Sequence, residues 1–442
     1  MNYIYSNRCW LDNKLQAATI GFKNGVITHI YQSKLNHAAL IDVGNDILMP
    51  GCIDVHAHIN EPGRTNWEGF DTATQAAAAG GITTVIDMPL NSSPVTTTVE
   101  AFEQKLAASK GKMHINCGFY GGLIPNNLDQ LAPLIQAGVL GIKAFLVHSG
   151  IDEFPNVSAA DLDRAMAIVA PLGVPLLAHC ELYDTEIDSG LAQNPQSYTR
   201  YLASRPKKWE NDAIALMIDL CRKHRCKTHI VHLSSAEALP LIAQAKQQAL
   251  PLTVETCPHY LLFCAETIPD ANTLYKCAPP IREAHNNTQI KQAFANGLMD
   301  FVSSDHSPAP PNIKEIESGN LQKAWGGIAG LQFLLPASWT SLKEHLSVEQ
   351  FIPLITQKPA QFLGIDTQKG SITIGYDADF VVWNPETSFI PTPQSILHRY
   401  PISPYIGQVL FGTVQQTYVN GVLVFNNNQI INKNTGKWLL RK

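Results

Sequence analysis

Between residues 51 and 367, short apolar runs rich in β-branched residues alternate with alanine-rich stretches of helical character, and this alternation constrains the fold more than any other feature. Strands are expected at 52–56, 82–88, 114–119, 141–146, 174–179, 228–232, 251–256 and 300–305. Helices are expected at 72–79, 99–109, 128–137, 159–170, 211–224, 236–248 and 288–296. A run that is apolar throughout suits a strand covered on both faces, as parallel sheets require. Eight strands alternating with seven helices predict a closed (β/α)8 barrel rather than an open, doubly wound sheet.

The two ends of the chain read differently. The first 50 residues break into short strand-like runs, with Asn24-Gly25 as a type I′ hairpin signal. The C-terminal stretch does the same at 370–374, at 378–383 and in TVQQTYVNGVLVF, which holds a second hairpin signal at Asn420-Gly421. Both ends together are expected to form one small β-sandwich domain, residues 1–50 and 368–442, beside a catalytic barrel at 51–367.

Composition supports a large packed core: of 442 residues, 45% are apolar and 16% charged, against a usual charged share of about 25%. A net charge of −5 without a long basic run predicts no nucleic-acid or anionic-membrane partner. The opening MNYIYSNRCW lacks a basic stretch followed by an apolar one, so a cytoplasmic location is expected. Nine scattered cysteines with no C-x-x-C pair fit neither a disulfide framework nor a zinc ribbon. Phosphate-loop, H-E-x-x-H and G-x-S-x-G patterns do not occur either.

Chemistry gathers where the candidate strands end, the edge at which such barrels keep their active sites. His56 and His58 are two residues apart, so on a strand they share a face and can grip one ion. His179 ends the fifth strand, His232 the sixth and Asp305 the eighth. His229 lies three residues from His232 and faces the opposite way, so only one can be a ligand, and His232, nearer the strand's end, is the candidate. One strand-end histidine usually has a structural explanation, whereas four with an aspartate on one rim point to a metal centre. Lys143 sits inside the apolar fourth strand, where an unpaired ammonium is penalised. Either it snorkels to the rim or pairs there, or its deprotonated amine captures carbon dioxide as a carbamate that can bridge two cations.

These residues stand in strings that resemble the cyclic-amide branch of the amidohydrolase superfamily, most closely the allantoinases. The strings are MPGCIDVHAHINEPGRTNWEGF (49 to 70), AAAAGGITTVIDMPLNSSPVT (76 to 96), GIKAFLVHSGIDEFP (141 to 155), ETCPHYL (255 to 261), KCAPPIR (276 to 282), SSDHSP (303 to 308) and KAWGGIAGLQ (323 to 332), and the resemblance covers nearly the whole chain. It implies a binuclear centre in which His56, His58, carbamylated Lys143 and Asp305 hold one divalent ion. The same carbamate, His179 and His232 then hold the other. It also implies zinc, with cobalt, manganese, iron or nickel as alternatives, allantoin as the small-molecule substrate, and a homotetramer.

Departures within the branch bear on the substrate. Dihydroorotases carry an arginine two residues after the second histidine and an asparagine directly after Met-Pro; these positions are Asn60 and Leu90 here. Hydantoinases and dihydropyrimidinases usually lack E-P-G-R-T-x-W-E-G and have a tyrosine five residues after the lysine, where this chain has His148. A cyclic amidase for another hydantoin, dihydropyrimidine or dihydroorotate is the alternative reading, and a metal-free scaffold of the same fold a distant third.

The expected reaction is hydrolysis of one ring amide of allantoin, giving allantoate. A hydroxide held between two divalent ions is available near neutral pH, because coordination lowers the pKa of water from 15.7 toward about 7. Asp305 is the candidate to take its proton and return it to the departing ring nitrogen. Asn60, Arg64 and Asn91, in loops after the first two strands, are candidates for substrate contact, Arg64 equally for a clamp within its turn. Cys277 and Ala278 precede Pro279-Pro280, a rigid segment able to offer backbone groups to the ring amide. Cys277 is not expected to be a nucleophile, and His259 reads as a structural or supporting group rather than a ligand.

Overall fold

The computed structural model describes residues 1–183 and 187–441. Eight parallel strands form where the apolar runs lie: Cys52–Ala57, Ile82–Asp87, Asn116–Phe119 continued at Gly121–Gly122, Ile142–Phe145, Leu176–His179, Thr228–Ile230, Leu252–Thr256 and Phe301–Val302. Each pairs in parallel with the next. A parallel bridge between Ala57 and His306 closes the ring, and the His58 N–H donates to the His306 carbonyl at 2.7 Å. The sixth and eighth strands stop short of the expected residues 232 and 305. His232 and Asp305 adopt positive φ, 39° and 44°, a left-handed conformation through which a strand cannot continue.

Helices follow the strands as the pattern requires, and their starts follow capping chemistry. Thr98 caps Val99–Ser109 by accepting from the Ala101 N–H, and Ser158 with Asp161 forms a capping box at Ala159–Val169. The stretch expected as one helix over 236–248 divides into a 3-10 turn, Ala236–Ala238, and a helix, Leu239–Gln247. Pro240, lacking an N–H, is tolerated only in a first turn and so sets the new start. The helix expected at 288–296 begins earlier, as Ala284–Ala295. Among the described residues, no helix is long and apolar enough to cross a membrane.

The two ends of the chain meet in one nine-stranded mixed sheet. The expected sandwich is a single bulged sheet, in which N-terminal Ile4, Ile20 and Phe22 share a core with C-terminal Phe380, Val382 and Tyr418. Both Asn-Gly hairpins have positive φ at both positions, 52° and 81° at Asn24-Gly25 and 50° and 76° at Asn420-Gly421, as a type I′ turn demands. The strand expected at 370–374 does not form, because Gly370 and Gly375 take φ of 82° and 92° and turn the chain at both ends. Trp438–Leu439 leaves the terminal sheet altogether and pairs in parallel with the third barrel strand.

Ile47–Pro50 joins sheet to barrel. It pairs with Phe380–Phe389 and with Asn2–Leu11, and only Gly51 separates it from the first barrel strand. A Cβ at Gly51 would lie 2.0 Å from Thr83 Oγ1, so only glycine lets the first two barrel strands approach. The strand that delivers His56 is thereby anchored at its base.

Candidate metal centre

The rim collects the strand ends around a cavity of about 540 Å³, lined among others by His56, His58, His179, His232 and Asp305. His56 Nε2 and His58 Nε2 lie 3.2 and 3.5 Å from Asp305 Oδ1. On the opposite side, His179 Nδ1 and His232 Nε2 are 2.9 Å apart. Lys143 is 0% exposed between its strand neighbours, and its amine has no hydrogen-bond partner among the described residues. The Phe145 ring, 4.6 Å from that amine, stacks on His179 at 4.6 Å.

Two carboxylates decide which ring nitrogens are available. Burial alone would raise the Glu255 carboxyl, but hydrogen bonds from His229 and His56 outweigh it and hold it at about 2. The ionised Glu255 must therefore accept from His56 Nδ1–H, at 2.6 Å, which turns Nε2 toward Asp305. Burial likewise works against Glu181, yet the Arg205 charge and His179 bring it to about 2. Glu181 accepts from His179 Nε2–H at 2.7 Å and leaves Nδ1 bare. His58, His179 and His232 are all pushed down, foremost by burial, so they stand as neutral imidazoles, the form that ligates metal.

Burial lowers the Lys143 amine to about 7. Asp305 goes the other way: burial opposes its charge, but the surrounding histidines, His56 first, hold its carboxyl well below the usual range. Four buried imidazoles, an ionised carboxylate and an unpartnered buried amine fit divalent cations and fit no apolar role. His56, His58 and Asp305 alone place donor atoms within 4.8 Å of one another.

Backbone strain occurs here too. Asn60, Asn91, His232 and Asp305 all have positive φ, a conformation costing about 1 to 3 kcal/mol each outside glycine. The surroundings hold them in place: Ser304 N–H donates to Asp54 Oδ1 at 3.1 Å, and His306 N–H to Ser304 Oγ at 3.1 Å. Behind His58, the Ile59 N–H donates to Asp87 Oδ1 at 2.8 Å, and Lys105 pairs with Asp87 Oδ2 at 2.5 Å.

Of the residues expected to meet substrate, Asn91 and Ala278 line the cavity, whereas Asn60, Arg64 and Cys277 do not. The Asn91 amide lies 3.2 Å from His58 Nδ1. The Asn60 amide donates to the Pro308 carbonyl at 3.3 Å. The Arg64 guanidinium donates to the carbonyls of Asn91 and Ser92 at 3.2 and 3.4 Å and to Glu153 at 2.7 Å, which makes it the clamp of the Asn91 loop. The Cys277 carbonyl accepts from the Tyr201 hydroxyl at 2.6 Å, and burial pushes its thiol up to about 12, the inert end of the range. His229 stays out of the cavity, its Nε2 3.3 Å from Glu255. Glu181, Glu255 and Arg205 were not singled out in the sequence; the H-x-E spacing of His179 and Glu181 was a usable signal, since a strand puts both on one face.

A model of the amidohydrolase family matches residues 47–424. An allantoinase from Arabidopsis thaliana is 42% identical over 448 residues, covering 97% of this chain and 88% of its own. An allantoinase from Streptomyces avermitilis is 46% identical over 389 residues, 87% of this chain and 85% of its own. Among solved structures, the L-hydantoinase (dihydropyrimidinase) from Arthrobacter aurescens superposes with a TM-score of 0.94 at 29% identity, covering 100% of both chains. On these matches the chain belongs to the amidohydrolase family.

Proposed function

We propose that this chain is an allantoinase, which opens the hydantoin ring of allantoin by hydrolysis to give allantoate. The observation that carries the reading is the convergence of His56, His58, His179, His232 and Asp305 on one cavity, with Lys143 unpartnered beneath them. Relatives bearing the allantoinase name align over nearly the full chain, which supports this substrate over other cyclic amides.

His56, His58, Lys143 and Asp305 would hold one divalent ion, and Lys143, His179 and His232 the other. Bound there, such ions acidify water from 15.7 toward about 7 and polarise a carbonyl. Zinc suits the imidazole and carboxylate donors, as do cobalt, manganese, iron and nickel. Because burial holds the Lys143 amine at about 7, much of it is unprotonated near neutrality and can add carbon dioxide. An N–C bond forms, a proton leaves, and the side chain becomes an anionic carbamate. Asp305, kept ionised, takes a proton from the attacking water and delivers it to the ring nitrogen as the C–N bond breaks. Asn91 and Ala278, on the cavity wall, offer neutral hydrogen-bonding groups to the substrate.

The cavity-lining residues fall between 56 and 326, which supports a division of labour in which 51–367 perform the chemistry while 1–50 and 368–442 brace the barrel. A homotetramer is the assembly that the family resemblance supports.

Leu90 presents an apolar side chain on the cavity wall, Asn60 is committed to Pro308, and Arg205 is engaged by Glu181. The carboxylate of dihydroorotate would lose two charge-assisted contacts, each worth about 1.5 to 3 kcal/mol. A screen of the metal-loaded enzyme on allantoin, hydantoin, dihydrouracil and dihydroorotate tests the assignment. At the lower bound, kcat/KM for allantoin exceeds that for dihydroorotate by about a hundredfold. Comparable rates, or a preference for dihydroorotate, would assign the chain to a different branch.

A further inference from the structure

Two residues of the string ETCPHYL have no part in the centre described above. The seventh barrel strand ends at Thr256, and the short helix Pro258–Leu262 follows it, with Cys257 as its cap. Cys257 and His259 are both 0% exposed. Neither ring nitrogen of His259 has a hydrogen-bond partner among the described residues, an arrangement that costs free energy unless something occupies the lone pair. Donor atoms of Cys257, His259 and Asp305 all lie within 4.8 Å of one another. Around Cys257 the wall is apolar and aromatic, with Tyr201, Tyr260 and Cys277 in the same cluster, and such a dry shell strengthens coordination.

Thiol, imidazole and carboxylate together form a donor set for a borderline or soft divalent ion such as zinc or cadmium. We propose that Cys257, His259 and Asp305 form a separate, inhibitory cation site that shares Asp305 with the catalytic centre. On binding, a sulfur–metal bond forms and the thiol proton passes to solvent. The carboxylate of Asp305, once it ligates this ion, is withdrawn from proton transfer, so excess zinc or cadmium stops turnover while the catalytic ions stay in place. The inhibitory half of the proposal rests on Asp305 as proton carrier in the reaction proposed above; the binding half does not.

The test titrates the holoenzyme with cadmium and follows three signals: bound cadmium per chain, ultraviolet charge transfer from thiolate to cadmium, and allantoin hydrolysis. The site predicts one added ion per chain, a charge-transfer band that grows with it, and inhibition without release of the resident ions. Cys257→Ser abolishes the band, and it and His259→Gln each raise the half-inhibitory concentration about tenfold or more. Cys264→Ser, at the one cysteine that is not buried, leaves the response unchanged. A band and inhibition that persist in Cys257→Ser would overturn the site, as would inhibition in step with loss of the resident ions. Should Cys257→Ser fail to fold, His259→Gln still decides, through its cadmium affinity. A band with full activity retained overturns the inhibitory role alone. An untreated enzyme inactive on allantoin bears on the function proposed above and leaves the cadmium signals to judge the site.

Discussion

The terminal sheet and the rim of the barrel both bury polar side chains, and they treat them in opposite ways. In the sheet, Ser6, Thr19 and Thr417 are 0% exposed, and each hydroxyl donates to a carbonyl at 2.6 to 2.7 Å. Asp379, buried beside them, accepts from Lys369 at 2.5 Å, from Asn116 at 3.1 Å and from the Asn420 N–H at 2.7 Å. At the rim, the Lys143 amine, the Asn91 amide oxygen and both nitrogens of His259 have no partner among the described residues. Within the strands of the sheet, Trp383 Nε1 alone is buried without a partner among the described residues. The rim is a local loss that only a bound ion or substrate recovers, and such violations of local consistency mark function.

Lys143→Ala separates the two regions most sharply. It should lower kcat/KM for allantoin by about a thousandfold, the equivalent of roughly 4 kcal/mol, and lower metal content as well. In the metal-free protein its stability should hold or improve, since a buried group without a partner has been removed. Urea denaturation beside steady-state kinetics checks both halves, and a variant that is unstable yet fully active would reverse the comparison.

The converse change lies in the sheet. Lys369→Met strands the Asp379 carboxylate, 7% exposed, and should destabilise the fold by about 3 to 5 kcal/mol. Activity per folded molecule and metal content should stay at the wild-type level. A selective loss of bound metal would mean that sheet and rim are coupled.

Glu181→Gln has a smaller and purely local effect. A neutral amide can accept from His179 Nε2–H but no longer favours that tautomer through charge, so metal affinity should fall about ten- to a hundredfold, with a loss of stability from the Arg205 charge left unpaired. Competition against a chromophoric chelator reads this directly.

How much of this was legible in the sequence follows the same division. Wherever burial is continuous, the apolar runs locate all eight barrel strands, and both Asn-Gly pairs locate their hairpins, because those patterns report local physics. Legibility fails where long-range partners decide. Residues 370–374 have strand-like composition but turn at Gly370 and Gly375, and their neighbour Asp377 bridges Val26 instead. Trp438–Leu439 is too short to signal a strand and forms one only because the third barrel strand has a free edge beside it. At the site, strand ends reveal which residues reach the rim. They do not reveal direction after a loop, so Arg64 could not be told from a substrate contact until Glu153 and the Asn91 and Ser92 carbonyls were seen to hold it. Glu255 was hidden for a further reason: a carboxylate far along the chain that orients a histidine is recognised only once the histidine's other nitrogen is known to face the cavity.

The central claim is that the rim is built around divalent ions on which turnover depends. Exhaustive chelation followed by stepwise return of zinc in the presence of bicarbonate tests it most directly, with bound metal and allantoin hydrolysis followed together. Activity should be lost with the metal, return as ions are added, and level off at about two ions per chain, the number that the two donor groups of the proposed centre accommodate. A protein that keeps full activity with no bound metal would contradict the account.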